Sequence, residues 1–321
     1  MLIAVTGATG FVGGHAARRL LRDGHRVIAF GRRPACDVKG ADYRRWDITH
    51  GPIDVGRVDA VVHCAGSVAE WGRAQEFEAA NVIGTRNVLR SFRDAAVFVH
   101  LSSASVYDLT SPKVEIAEDV PYGGRYVSAY SRTKIQAEQL VFAREVGSVV
   151  LRPHIVYGPG EAKILPRLRA LLQRGPLFVP GTGRNRLSVT HVDNLAAAIA
   201  AAVELRRRCE VFNVADARTA TVDELLNALK AAFGSTRKIR YVPVAAAWAA
   251  AVASESLHRT LLRHRAPVLT RFLVAQLAFD FTLDIRRATA VLGYRPSRSY
   301  VEAFGELGVG QPEPRLPLRT A

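Results

Sequence analysis

The chain has 321 residues, 49% hydrophobic and 23% charged, enough to bury a sizeable core in one large domain or two. Cys36, Cys64 and Cys209 show no C-x-x-C spacing and leave an odd count, which argues against a disulfide framework and for a reducing, cytoplasmic setting. The net charge of +15 is mostly arginine, but neither a basic stripe with interleaved aromatics nor a nucleic-acid module is present, so the charge reads as a solvated surface, with an anionic membrane surface as the alternative partner.

Leu2 to Val5 predict a short buried strand, and Met1 leads directly into it, so no signal peptide is expected. Gly7, Gly10 and Gly13 follow at G-x-x-G-x-x-G spacing, and Phe11 to Arg22 predict a helix. A strand turning tightly into a helix gathers backbone N–H groups and the helix's positive end, a geometry that binds pyrophosphate. Thr6-Gly7-Ala8-Thr9-Gly10-Phe11-Val12-Gly13 resembles the opening of the extended short-chain dehydrogenases/reductases. Gly7, Thr9, Gly10, Phe11 and Val12 are therefore expected to line a dinucleotide.

Arg26 to Phe30 predict the second strand. An NAD-binding fold usually places an acidic residue at its end, to hold the ribose 2′-hydroxyl; this chain has Gly31-Arg32-Arg33-Pro34. Guanidinium groups clamp a 2′-phosphate that a carboxylate would repel, so Arg32 and Arg33 favour NADP over NAD, unless both simply face water. Tyr43 to Trp46 predict the third strand. The family resemblance then puts Asp47 on the adenine amino group, with Ile48 beside it. Val58 to Cys64 predict the fourth strand, and Cys64-Ala65-Gly66 resembles the family's cofactor-contacting segment.

A helical stretch is expected from Phe77 to Arg93, with Asn81 resembling a structural asparagine whose amide ties strands together. Trp71 resembles a tryptophan recurring beside the substrate in 3β-hydroxysteroid dehydrogenase-like enzymes; packing in a core or lid is the alternative. Ala96 to Leu101 predict the fifth strand, ending in Ser102-Ser103-Ala104-Ser105-Val106-Tyr107, where ligands sit in open α/β sheets. Asp108 to Val127 read as a loop over the site. Tyr130 and Lys134 lie four apart on a helix running to about Arg144 and so share one face. Val149 to Leu151 predict the sixth strand. Arg152-Pro153-His154-Ile155-Val156-Tyr157-Gly158-Pro159-Gly160 resembles the family turn whose backbone holds the nicotinamide carboxamide, placing Pro153, His154, Ile155 and Val156 at the cofactor.

Beyond this turn the chain should alternate between two bodies. Lys163 to Arg174 read as a helix, Leu187 to Val192 and Glu210 to Ala215 as strand-like returns, and Asp193 as the cap of an Ala-rich helix. Thr221 or Asp223 should start a helix to Phe233. The apolar Tyr241–Ala253 stretch falls short of the about 20 residues of a membrane span. With Arg259, Arg263, Arg265 and Arg271 after it, an interfacial helix making peripheral membrane contact stays open. The expected organisation is an α/β, Rossmann-type doubly wound parallel sheet (residues 1–160, with 187–216 returning to it), a smaller substrate-capping domain (161–186 and 217–309) and a disordered tail (310–321).

Ser103, Tyr130 and Lys134 make the expected catalytic group. Tyrosine with a pKa near 10 is a poor base at neutrality, and a nearby ammonium together with an oxidised nicotinamide lowers that pKa. Lys134 should also hold the ribose, and Ser103 should steady the substrate oxygen; it lies four residues before Tyr107, as the catalytic Ser/Thr does in the family's S-x-x-V-Y pattern. No metal-ligand spacing, G-x-S-x-G or Walker lysine is present.

Leu187-Ser188-Val189 stands where sugar-nucleotide epimerases and dehydratases carry a diphosphate-gripping R-D-F/Y segment, and Ala104-Ser105 where 4,6-dehydratases carry Asp-Glu. The Gly183-Arg184-Asn185 to Asp193-Asn194 segment and Thr270-Arg271-Phe272 instead resemble the 3β-hydroxysteroid dehydrogenase and 2-alkyl-3-oxoalkanoate reductase branch. Those relatives often have Asp at the Ser188 place. The resemblance implies an NAD(P)-dependent oxidoreductase acting on a secondary alcohol or ketone of an apolar, steroid-like or 3-oxoacyl-like substrate, with Trp71, Ala104, Ser105 and Arg184 as substrate candidates. It also implies a homodimer through the helices near 77–93 and 130–144. A sugar-nucleotide epimerase and a non-catalytic dinucleotide sensor are the alternatives.

Overall fold

A computed structural model describes residues 1–124, 128–144, 147–205, 209–262 and 266–308. Seven strands form one parallel sheet. In spatial order they are Glu210–Val214, Ser148–Pro153, Val97–Leu101, Ala60–His63, Leu2–Thr6, Arg26–Gly31 and Asp42–Arg45. Strands buried on both faces read as continuous apolar runs, which is why Leu2–Thr6 and Ala60–His63 were legible without alternation. Alternate residues feed two cores. Ile3, Val5, Val62, Val99 and Leu151 pack under Phe11–Arg22 and Val192–Glu204. Ala4, Val61, Phe98 and Val150 pack under Gly84–Ser91 and Ala129–Phe142, contributing Val88 and Val141. Strand order reverses between Leu2–Thr6 and Ala60–His63, the switch point where such sheets open a crevice at the strands' carboxyl ends. The fold is Rossmann-type and doubly wound.

Three smaller sheets of the described residues lie outside the seven-stranded one. A four-stranded sheet joins Ala220–Thr221, Arg186–Leu187, Phe281–Leu283 and Lys113–Ile116, and Leu177–Pro180 pairs with Ile239–Val242. Among the described residues no helix is long and apolar enough to cross a membrane.

Four sequence expectations need correction. The 108–127 segment is not all loop, because Lys113–Ile116 pairs with Phe281–Leu283. The 187–192 stretch is not one strand. Arg186–Leu187 joins the small sheet, while Thr190–His191 pairs with Val156–Tyr157, the chain turning where the Ser188 hydroxyl takes the Leu283 N–H at 2.9 Å. Asp193 does not cap its helix; the His191 ring accepts the Asp193 N–H at 3.2 Å, and the Asp193 carboxylate sits 2.9 Å from His15 Nδ1. The helix expected over 77–93 starts at Ala74 and is interrupted by a π-helical turn, Glu78–Ile83, before Gly84–Ser91. Thr221 is the cap of Val222–Ala232, in a reciprocal box with Glu224. Tyr241–Ala253 divides between a strand and the helix Val244–Thr260. Arg263, Arg265 and the 310–321 tail lie outside the described residues.

Candidate active site

Gly7 has φ +75°, and a Cβ there would lie 2.7 Å from the Ala65 nitrogen. A Cβ on Gly13 would come within 2.3 Å of the Gly7 carbonyl oxygen. The turn, the helix behind it and the 64–66 loop thus approach at distances only glycine allows. The Phe11–Arg22 helix is capped by Gly10, which has no side chain to occupy the first amides, and carries no acidic residue in its first turn. This free positive end, beside a cradle that any side chain would fill, fits a pyrophosphate. Thr9 closes the cradle against Gly31, where a Cβ would lie 2.6 Å from its hydroxyl.

Arg32 and Arg33 leave the next strand exposed, their backbone fixed by Arg45 Nε donating to the Arg32 carbonyl at 3.2 Å and by Tyr43 OH donating to the Arg33 carbonyl. Asp47 caps the short turn Ile48–His50, accepting from the Thr49 amide at 3.0 Å and hydroxyl at 2.8 Å. Burial pushes its carboxyl up, but these bonds and the nearby charge of Arg32 outweigh it and hold the group below its ordinary range.

Asn81 lies on the π-helical turn, a local geometry often found at functional sites. It accepts the Ser67 N–H at 2.7 Å and donates to the Ser67 carbonyl at 3.1 Å and the Thr133 hydroxyl at 3.0 Å. Its amide therefore ties the loop after Gly66 to the helix of Tyr130 and Lys134, rather than strand to strand. Cys64 is pushed up to about 12 by burial, so its thiol stays neutral despite the nearby Lys134 charge.

Ser128 caps the Ala129–Phe142 helix, and Tyr130 and Lys134 turn one face toward the carboxyl end of Val97–Leu101. Ser103 lies beside Tyr130: burial pushes the phenol up, and the Ser103 hydroxyl pulls it down by less. Lys134 is 5% exposed and donates to the Leu101 carbonyl at 2.6 Å. Burial lowers its ammonium to about 8, against the opposing pull of Glu138 and Cys64. Beneath it, His63 and His100 stand side by side at 5.3 Å. Burial, then the Lys134 charge, drives His63 to about 3, so the ring is neutral; its two nitrogens bond the Thr6 hydroxyl at 2.7 Å and the Thr85 hydroxyl at 3.0 Å.

Arg152 does not face the cofactor crevice; it is buried against Glu138. Pro153 ends the strand, and His154 Nδ1 donates to the Ser188 carbonyl at 2.7 Å. Burial lowers His154 to about 4, so it is neutral. Ile155 has φ +41°, an unfavourable region for a β-branched residue, and its carbonyl accepts the Thr190 N–H at 3.3 Å. Val156 then pairs with Thr190.

The Phe272 ring meets Tyr130 edge-on at 6.3 Å. Phe272, Phe77 and Trp71 line a pocket of about 240 Å³ together with Ser128, Ala129, Glu70, Glu255 and Arg259. Trp71 is thus on the pocket wall. Ala104 and Ser105 are buried below the site, and Arg184 is exposed and does not line this pocket. Sequence reasoning placed none of Phe77, Glu138, Glu255, Arg259 or Phe272 at the site; Arg259 was read only as one of the arginines of a possible interfacial helix. The only signal was the Thr270-Arg271-Phe272 motif, which marks a family branch without showing where its ring points.

Residues 3–215 match the family described as the NAD dependent epimerase/dehydratase family. A 2-alkyl-3-oxoalkanoate reductase of Stenotrophomonas maltophilia strain K279a is 33% identical over 96% of this chain and 98% of its own. A 4-hydroxy-2-methyl-3-oxo-4-farnesyl-3,4-dihydroquinoline-1-oxide ketoreductase of Stigmatella aurantiaca is 32% identical over 90% of each chain. Among solved structures, UDP-glucuronic acid 4-epimerase from Bacillus cereus in complex with NAD aligns with a TM-score of 0.72 at 21% identity, over 95% of this chain and 94% of that one, a likeness of fold. With its glycine turn, strand-end serine and Tyr130/Lys134 pair in one crevice, the chain belongs to the NAD dependent epimerase/dehydratase family, among the extended short-chain dehydrogenases/reductases.

Proposed function

We propose that this enzyme interconverts a secondary alcohol and a ketone on an apolar, 3-oxoacyl-like substrate, with NADP(H) preferred over NAD(H). The observation that carries the reading is Tyr130, with Ser103 beside it and buried Lys134 one helical turn on, packed edge-on against Phe272 on the wall of a pocket that Trp71 and Phe77 also line. The curated relatives named as reductases support the oxidoreductase assignment along nearly the whole chain. Gly7, Thr9, Gly10, Phe11 and Val12 would hold the pyrophosphate, Arg32 and Arg33 the 2′-phosphate, Asp47 and Ile48 the adenine, Cys64–Gly66 and Lys134 the ribose, and Pro153–Val156 the carboxamide. When bound, the nicotinamide supplies or accepts the hydride.

Tyr130 gives its phenolic proton to the developing alkoxide in reduction and takes it back in oxidation. Ser103 holds the substrate oxygen beside that phenol. The Lys134 ammonium stabilises the phenolate left behind. Its Leu101 bond keeps it from swinging away and leaves other N–H donors for the ribose.

One fit observation bears on the epimerase reading: Leu187 and Ser188 are buried where a diphosphate-gripping arginine would be needed. The helices Gly84–Ser91 and Ala129–Phe142 contact one another, and Ile83 beside them is 40% exposed, which suits a homodimer across them. Leu257, Leu261 and Leu262 are exposed at the end of the Val244–Thr260 helix, consistent with peripheral contact with a membrane holding such substrates, and the three free cysteines suit a cytoplasmic location. The test is NADPH consumption on long-chain 3-oxo compounds, with the Tyr130→Phe variant as control. Consumption by the native enzyme that the variant lacks is expected; activity on sugar nucleotides alone would contradict the reading.

A further inference from the structure

The pocket walled by Phe272, the ring that meets Tyr130, has Trp71 and Phe77 on its lining, yet it also holds charge. Glu255 is 4% exposed, and Arg271 serves it fully: the Arg271 backbone N–H at 2.7 Å, Nε at 3.0 Å and Nη2 at 2.9 Å. Glu70 is paired with Arg167 at 3.3 Å. Arg259 reaches Glu255 only at 3.6 Å, with most of its side chain exposed, and its guanidinium lies 5.2 Å from the Trp71 ring centroid. Both pocket carboxylates are thus matched by other arginines, and Arg259 is the surplus cation among the described lining residues. It sits in the last turn of the Val244–Thr260 helix. The positive end of the Ala129–Phe142 helix opens into the same pocket through Ser128 and Ala129.

We propose that Arg259 binds a carboxylate of the substrate, making this an enzyme of 3-oxo or 3-hydroxy carboxylic acids rather than of neutral ketones and alcohols; this rests on the oxidoreductase reading above. Arg259 lines the pocket with its guanidinium over Trp71, and the N–H edge of a planar guanidinium matches a carboxylate two N–H groups at a time. An acid would exchange the long contact to Glu255 for a two-point bond. Its alkyl chains would lie on Phe77, Trp71 and Phe272, and its oxygen-bearing carbon would face Tyr130.

The test uses the whole enzyme in the oxidation direction, because 3-oxo acids lose carbon dioxide spontaneously. A 2-alkyl-3-hydroxyalkanoate and its methyl ester are each assayed with NADP. The native enzyme should prefer the acid, and Arg259→Gln should lower the acid-to-ester ratio of kcat/KM by about 10- to 100-fold, through KM rather than kcat. Arg259→Lys should restore part of the ratio, since charge remains but the fork is lost. A ratio unmoved by Arg259→Gln, or a native preference for the ester, would overturn the carboxylate assignment while leaving the oxidoreductase reading intact. Turnover of neither compound, nor of any secondary alcohol, would overturn both.

Discussion

Glu138 and Arg152 form a two-point ion pair in the centre of the molecule, Nε to Oε1 at 3.0 Å and Nη2 to Oε2 at 2.7 Å, with the Glu138 side chain wholly buried. Glu138 lies one helical turn beyond Lys134, and the Ser102 hydroxyl and Tyr122 hydroxyl also donate to it. Arg152 continues the network to Tyr107 OH at 2.8 Å, which in turn donates to Asn213 at 2.9 Å. The pair pins the helix bearing Tyr130 and Lys134 to the strands that end at Ser102 and Pro153.

Glu138→Ala should therefore destabilise the fold by about 3–5 kcal/mol, because it leaves a buried guanidinium unpaired. Urea unfolding of the cofactor-free protein measures this. A loss below about 1 kcal/mol would mean that water or another carboxylate replaces Glu138.

Lys134 sets a pH dependence with a definite sign. Burial lowers its folded pKa from 10.5 to about 8, so between these values the unfolded chain binds more protons than the folded one. The lysine's burial penalty is full below about pH 8 and fades as pH rises toward 10.5. Lys134→Met removes the penalty. The variant should be at least as stable as the native protein at pH 7, and its advantage should shrink between pH 8 and pH 10, while turnover is lost. Parallel denaturation curves at these pH values check it; an advantage that grows with pH would contradict the assignment.

Arg32 and Arg33 decide the nucleotide. Replacing both with glutamine should weaken NADPH by about 1–3 kcal/mol and NADH far less, because only the 2′-phosphate needs charged donors at that position. Fluorescence titration with both nucleotides measures the difference. Equal affinity of the native protein for the two would contradict the proposed preference.

What the sequence disclosed follows from how local each feature is. The Gly7–Gly13 turn is written in one short stretch, since Gly10 and Gly13 are required by the Gly7 carbonyl itself, although Gly7 in turn meets the distant Ala65. Tyr130 and Lys134 were legible because four residues make one helical turn. The small sheet was not, because its two- to four-residue strands come from 113–116, 186–187, 220–221 and 281–283, too short to carry a period. Asp193 looked like a cap by residue type, but its neighbour His191, buried with its Nδ1 free of a proton, takes the amide instead. The pocket charges were hidden for a similar reason: Glu255, Arg259 and Arg271 read as part of a solvated basic surface until tertiary packing sets Glu255 inside and leaves Arg259 over Trp71.

The central claim is that Tyr130 moves the proton. Tyr130→Phe deletes one hydroxyl and keeps the ring against Phe272. Turnover of a good ketone or alcohol substrate should fall by about 10²–10⁴-fold, while NADPH affinity, measured by fluorescence on the same preparation, changes little. Lys134→Ala should lose both together. Full turnover by Tyr130→Phe would show that the phenol is not the proton donor and would contradict the assignment of the whole site.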